Sequence, residues 1–387
     1  MNVLMIGVGD AGLDDPDSDS VQRFLEYARR IDGRIDLIVD SPNGGISEYG
    51  SLTVCRTGTG RTLFPAAAHR LGLAAARKTT PDVIASQDPF ATALAGLWLR
   101  RTLQRPLLIQ NHSSVMFNPR WTAERPVLFR ALHLLARLLL HRADAWRVVN
   151  TRERRVYLDR LGLPADRVRV LPVPCDLAAF SGERMTESPA RTRKRLRIPP
   201  DAPLLAWAGR PVRFKRLPLL FQAFAEIRAR FPAARLVVVG RKALAQEDLD
   251  RAARRAGLGE SLTWSGELDH KGLADLLRAA DVFLYSSVYE GFGRVLVEAG
   301  ASGLPAVATS TAGAADIIRD SETGFLVPVE DAPALARRAG DLLADREARR
   351  RMGAAARKRI RSEFAPEKLF DGIISQWRET VAAGMRP

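Results

Sequence analysis

The sequence predicts an α/β protein made of two doubly wound domains. Short apolar, β-branched runs alternate with helical patterns along the whole chain, thirteen such runs occur, and a polar stretch divides them near the middle. Strands that alternate with helices form parallel sheets covered on both faces. Thirteen strands are too many for one comfortable sheet, so two are expected. A length of 387 residues gives each domain enough chain to bury its own core.

The first-half runs are residues 3–6, 35–39, 52–55, 83–85, 107–110, 146–149 and 168–171. The second-half runs are 204–207, 236–239, 262–264, 282–285, 306–309 and 325–327. Residues 181–203 between them are rich in Pro, Ser and Arg and include Arg191-Thr192-Arg193-Lys194-Arg195, while apolar strand character resumes at Leu204. The expected domains are therefore 1–180 and 181–364. Residues 365–387 carry Leu369, Ile373, Ile374 and Trp377 on one helical stripe. A terminal helix with a buried-type Trp docks on something, here by crossing back to the first domain.

Composition is ordinary for a soluble protein, and no run of about 18 apolar residues occurs, so no transmembrane helix is expected. The first residues lead straight into a strand without a charged leader, and Cys55 and Cys175 have no metal spacing; both suit a reducing cytosol. The net charge of +15 is uneven: residues 1–99 carry 9 Lys and Arg against 12 Asp and Glu, but residues 100–169 carry 15 against 5. Such concentration points to an anionic partner, a membrane surface or lipid-linked acceptor, unless an Arg-rich composition accounts for it. Nucleic acid is not expected, because the cations are not interleaved with stacking aromatics and no recognition signature appears. Within this segment, Arg130, His133, Arg137 and His141 form a basic stripe on an apolar helix, after an exposed-looking Met116, Phe117 and Trp121.

The segment most informative about chemistry is Glu290-Gly291-Phe292-Gly293, followed by a helix-compatible run to Glu298. It follows the strand 282–285, which puts Glu290 in a loop beyond a strand's carboxyl end, where open α/β sheets bind ligands. The glycines let backbone N–H groups approach a ligand, and the helix N-terminus attracts phosphate. A surface turn is the plainer alternative. A second loop, Gly209-Arg210-Pro211-Val212-Arg213-Phe214-Lys215-Arg216, also joins a strand to a helix and reads as a diphosphate clamp. His112 follows the strand 107–110 in a polar cluster, as either a site residue or a loop histidine with a structural hydrogen bond.

Two motifs mislead. Gly7-Val8-Gly9-Asp10-Ala11-Gly12 fits a dinucleotide fingerprint, but the chain continues with Asp14, Asp15, Pro16, Asp17 and Asp19. Those acids repel a pyrophosphate, and the helix is delayed to about Ser20. Asp15, Asp17, Asp19 and Glu26 have calcium-loop spacing, yet Ser20 stands where the turn needs Gly, and N-capping by Asp19 or Ser20 is the better reading.

Together the motifs resemble the family 4 glycosyltransferases of the GT-B fold. Glu290 to Glu298 is similar to that family's donor motif, and Gly209-Arg210 to Lys215 to its phosphate loop. Ser302-Gly303-Leu304-Pro305 and Asp320-Ser321-Glu322-Thr323-Gly324 resemble two further blocks in the expected order. The first domain matches more loosely: Gly9-Asp10-Ala11-Gly12 replaces a Gly-Gly loop and Pro172-Val173-Pro174 replaces Pro-Asn-Gly; in the second, Asp316 stands where Glu is frequent after the Ala312-Gly313 loop.

The resemblance implies two Rossmann-like domains facing a cleft and a retaining transfer from a UDP- or GDP-sugar to a glycan or lipid-linked acceptor, in cell-envelope or polysaccharide synthesis. It implies no catalytic metal and no cofactor. Arg210 and Lys215 would stabilise the departing diphosphate, Glu290 with the backbone of Gly291, Phe292 and Gly293 would hold the sugar, and Glu298 the ribose. Gly266 and Leu268 would read the base edge, and His112 would position sugar and acceptor. A cytoplasmic protein, peripheral at the inner face of the plasma membrane, is expected. The alternative is a GT-B sugar-nucleotide epimerase, which needs no acceptor; a non-catalytic binder is disfavoured by the four charged site residues.

Overall fold

The computed structural model describes residues 1–9, 12–182, 187–241 and 246–384. The chain divides into two compact units, Met1–Pro174 with Glu367–Pro387, and Cys175–Pro366.

Among the described residues the first unit holds β1 (Val3–Gly7), β2 (Ile35–Val39), β3 (Gly44–Tyr49), β4 (Leu52–Thr57), β5 (Val83–Ser86), β6 (Leu107–Asn111), β7 (Ala145–Val148) and β8 (Val168–Val170). They form one sheet in the order β3-β4-β2-β1-β5-β6-β7-β8, parallel except for the antiparallel β3–β4 pair. The period of two is visible in β1: Leu4 and Ile6 enter one core layer, Val3 and Met5 the other. On the second layer the helix Asp19–Ile31 supplies Val21, Phe24 and Tyr27, and the C-terminal helix Pro366–Gly384 supplies Phe370, Ile373, Ile374 and Trp377.

The second unit holds β9 (Leu204–Ala208), β10 (Arg235–Val239), β11 (Leu262–Gly266), β12 (Val282–Tyr285), β13 (Ala306–Thr309) and β14 (Gly324–Val327). These form an all-parallel sheet in the order β11-β10-β9-β12-β13-β14. The chain runs from β9 to β10 and β11 on one side, then returns to place β12 against the other side of β9. The carboxyl ends of β9 and β12 thus flank the topological switch point, the position where such sheets open a ligand crevice.

The thirteen expected strands are present, and β3 is an additional one. Its residues are mostly exposed, so it lacks the apolar alternation by which half-buried strands are recognised. The register pairs Tyr49 with Leu52 across Gly50-Ser51, and Gly50 has φ 58°, as a tight two-residue hairpin requires.

Near the N-terminus, Asp10 and Ala11 lie outside the described residues. The helix there begins at Asp19 and is capped by Ser18, whose hydroxyl accepts from the Val21 N–H, not by Asp19 or Ser20. Asp14 pairs with the buried Arg56 at 2.6 Å, so part of the acidic loop is pinned to β4. Glu26 is engaged by Arg29 and Arg30, which bond it and hold its pKa down to about 2. No described helix is long and apolar enough to cross a membrane.

Candidate active site

The Lys215 loop and the Glu290 loop meet at the switch point. After β9 the chain turns at Gly209, whose N–H donates to Val239 O at 3.0 Å, and a short turn Arg213–Lys215 leads into the helix Leu217–Arg230. After β12, residues 286–293 run alongside this loop. The Val288 N–H donates to Phe214 O at 2.8 Å, Ser286 Oγ to Lys215 O at 2.7 Å, and Phe214 stacks on Tyr289. One backbone hydrogen bond, one serine hydroxyl and one ring stack therefore hold the two loops together apart from the charged pair.

Across this junction Lys215 Nζ forms an ion pair with Glu290 Oε2. Tyr285 Oη donates to the same oxygen at 3.1 Å, and Lys215 Nζ lies 5.3 Å from the centroid of the Tyr285 ring. Both partners of the pair are only slightly exposed. Burial, and then the charge of Glu290, push the Tyr285 phenol well above its ordinary pKa, so it stays a donor. The carboxylate is held by one cation and one hydroxyl, an arrangement in which sugar hydroxyls can exchange with existing donors.

Gly293 has φ 87° and opens the helix Arg294–Ala301, and a Cβ there would lie 3.3 Å from Tyr285 Oη. Gly291, Phe292 and Gly293 are buried. Glu298 lies in the helix, 7% exposed, with Arg294 Nη2 4.0 Å away. Arg210 is exposed on the β9 loop. Gly266 ends β11 at φ 74°, and its carbonyl accepts from the Gly240 N–H at 2.9 Å; Leu268 follows, half-buried. The structure thus joins Lys215 and Glu290 directly and places Arg210, Gly266 and Leu268 on loops at the same edge of the sheet.

Sequence reasoning missed Tyr285 and Ser286. Tyr285 reads as the last residue of a buried strand, and only its hydrogen bond to Glu290 reveals a second role.

In the first unit His112 follows β6, and its Nε2 lies 3.4 Å from Gln110 Oε1, which accepts from the buried Arg147 at 2.6 Å. Crowding by the surrounding protein, then the charges of Arg147 and Arg23, depress the His112 pKa. His112 is itself an exposed residue, and the two arginine charges act in the same direction as the loss of water around the ring, favouring the neutral imidazole. Behind it Glu153 is fully buried; burial raises its pKa to about 8 against the opposing charge of Arg152 and hydrogen bonds from Ser114 and the Met116 backbone. Asn111 Nδ2 donates to Glu153 Oε2 at 3.3 Å. Glu153 carries no sequence signal beyond its place in a charged helix.

The basic stripe needs correction. His133 is buried; its Nε2 sits 3.1 Å from Val115 O and 3.3 Å from the Phe117 N–H, so it belongs to the core. Met116 is buried as well, and Trp121 stacks between Phe90 and Phe129.

Two family models match the chain: Glycosyltransferase Family 4 over residues 20–179 and Glycosyl transferases group 1 over residues 189–359. A D-inositol 3-phosphate glycosyltransferase of Xylanimonas cellulosilytica is 37% identical over 216 residues, 54% of this chain and 51% of the relative. One of Nocardia farcinica is 35% identical over 223 residues, 55% of this chain and 48% of the relative. The chain spans about half the length of the curated relatives it matches. Among solved structures, sucrose-phosphate synthase from Thermosynechococcus elongatus superposes with a TM-score of 0.84 at 24% identity, covering 99% of this chain and 100% of that one. HepE of Anabaena, in complex with UDP and glucose, gives 0.78 at 18% identity over 98% and 100%. With two doubly wound parallel sheets, these full-length superpositions and a family match on each half, the chain belongs to the family 4 glycosyltransferases of the GT-B fold.

Proposed function

We propose that the protein is a retaining glycosyltransferase that moves a sugar from a nucleoside-diphosphate donor to a glycan or lipid-linked acceptor. The observation that carries this reading is the Lys215–Glu290 pair, with Tyr285, at the switch point between β9 and β12. A carboxylate for sugar hydroxyls sits there beside a cation for phosphate, on loops joined by hydrogen bonds. UDP is the first nucleotide to test, because the similar HepE structures hold UDP or UDP-glucose. D-inositol 3-phosphate, which the names of the curated relatives carry, is the small-molecule acceptor to test against glycan and lipid-linked ones.

In the reaction the bond from the anomeric carbon to the diphosphate oxygen breaks. A bond from the same face to an acceptor oxygen forms, and the acceptor's proton departs with the leaving group. Negative charge develops on the diphosphate, where Arg210 and Lys215 are assigned to stabilise it; this is the role that lets the proposal dispense with a metal. Glu290 with the backbone of Gly291, Phe292 and Gly293 orients the sugar. Glu298 takes the ribose, Gly266 and Leu268 the base edge, and neutral His112 orients sugar and acceptor.

The test is transfer by purified protein with a panel of UDP- and GDP-sugars, with and without EDTA. Lys215→Ala and Glu290→Ala are each expected to lose about 100-fold or more in kcat while remaining folded by circular dichroism. Undiminished turnover in either variant defeats the assignment. A new sugar nucleotide formed without acceptor turns the reading to an epimerase.

A further inference from the structure

The helix Pro126–Leu140 exposes apolar side chains that a helix packed on a sheet ordinarily buries. Val127 is 86% exposed, Leu134 62% and Leu138 52%; with the exposed Ala131 they recur at i, i+4, i+7 and i+11, one stripe along the solvent face. Arg130, Arg137 and His141 are exposed along one flank of that stripe, and Arg142 stands near its end on the other. The opposite face, through His133, Ala136, Leu139 and Leu140, is the one in the core. The helix is thus apolar on both sides, with cations beside the outer stripe.

We propose that this outer face docks on an anionic lipid surface, with Val127, Leu134 and Leu138 entering the interfacial region and Arg130 and Arg137 meeting lipid headgroups. Charge decides between occupants. A second copy packed antiparallel about a two-fold axis would bring its own arginine row against this one, and one packed parallel would leave each row facing no carboxylate of its own stripe, whereas an anionic headgroup layer offers both apolar depth and counter-charge. The surrounding segment adds to the attraction, since residues 100–169 carry 15 Lys and Arg against 5 Asp and Glu. This inference does not depend on the identity of the donor or acceptor.

The experiment is co-sedimentation of the full chain with phosphatidylcholine vesicles, with and without about 30% phosphatidylglycerol, at about 0.1 M salt. The expected result is at least about tenfold tighter binding to the anionic vesicles. Leu134→Ser/Leu138→Ser and Arg130→Glu/Arg137→Glu should each lose about tenfold or more of it. All four side chains are exposed, so both variants should keep the parent's unfolding temperature and UDP affinity. Equal binding to neutral vesicles, binding undiminished in either variant, or a stable dimer that Leu134→Ser/Leu138→Ser dissociates, overturns the proposal. Loss of glycosyl transfer with vesicle binding intact would bear on the enzymatic reading alone.

Discussion

Tyr285 and Glu153 show how a residue's environment, and not its type, sets what it does. The Tyr285 hydroxyl is one of two groups on Glu290 Oε2, the other being Lys215. Tyr285→Phe leaves the ion pair but removes the donor that fixes the carboxylate. The expected effect is a raised KM for the donor with a smaller change in kcat, and removing such a hydrogen bond to a charge costs about 1.5–3 kcal/mol. An unchanged KM would show that Lys215 alone orients Glu290. Glu153 makes a pH prediction. Its pKa is raised to about 8 from 4.5, so the folded chain holds this proton where the unfolded chain has released it. The contribution to stability is therefore full below about 4.5 and is lost as pH rises through about 8. Glu153→Gln should flatten the fall in melting temperature between pH 5 and 8, measured by thermal unfolding. A parallel fall in both proteins refutes the raised pKa.

At the scale of elements, the loop after β12 is shaped by what presses on it. The helix Ala312–Ile317 opens beneath it, and the Gly313 N–H donates to Glu290 O at 3.3 Å. A Cβ on Gly313 would fall 2.2 Å from Phe292 O, so backbone would have to move. Gly313→Ala should cost about 1–3 kcal/mol by overpacking and weaken UDP binding as the Glu290 loop shifts. Calorimetry with UDP distinguishes this from a purely structural defect: unchanged affinity in the folded variant would uncouple this contact from the site. The position of this loop was legible in the sequence, because strand, glycines and helix follow one another there. Its support was not, because Gly313 lies 23 residues after Glu290 and only the sheet order brings them together. The Pro126–Leu140 helix is the opposite case. Its periodicity identified a helix, but apolar residues on both faces hid which one was buried, and His133 was read with the wrong side.

Across the whole molecule, the chain order and the spatial order differ at the C-terminus. Strand patterns, the midpoint change in composition and the terminal stripe were readable because each depends on local periodicity. The pairing of β3 and the polar network behind His112 depend on contacts distant in sequence and carry no period. The helix Pro366–Gly384 completes a core layer begun by the first strands. Trp377 is 1% exposed, with its ring centroid 5.2 Å from that of Tyr27; Gln376 Nε2 donates to Trp146 O at 2.9 Å, and Asp371 pairs with Arg30 at 2.8 Å. All these partners lie in the first unit, whereas every residue assigned to the donor except His112 lies in Cys175–Pro366. Trp377→Ala should therefore destabilise the protein by about 3–5 kcal/mol, through lost apolar contact and the cavity left behind. The affinity of the still-folded protein for UDP should stay within about twofold, since the Lys215–Glu290 junction and the Gly313 helix that supports it all lie in the second unit. Chemical denaturation gives the first quantity and calorimetry with UDP the second. A UDP affinity that collapses in the folded Trp377→Ala protein would mean that the C-terminal helix, and with it the first unit, contributes to donor binding; in that case the nucleotide site cannot be assigned to the second sheet by itself.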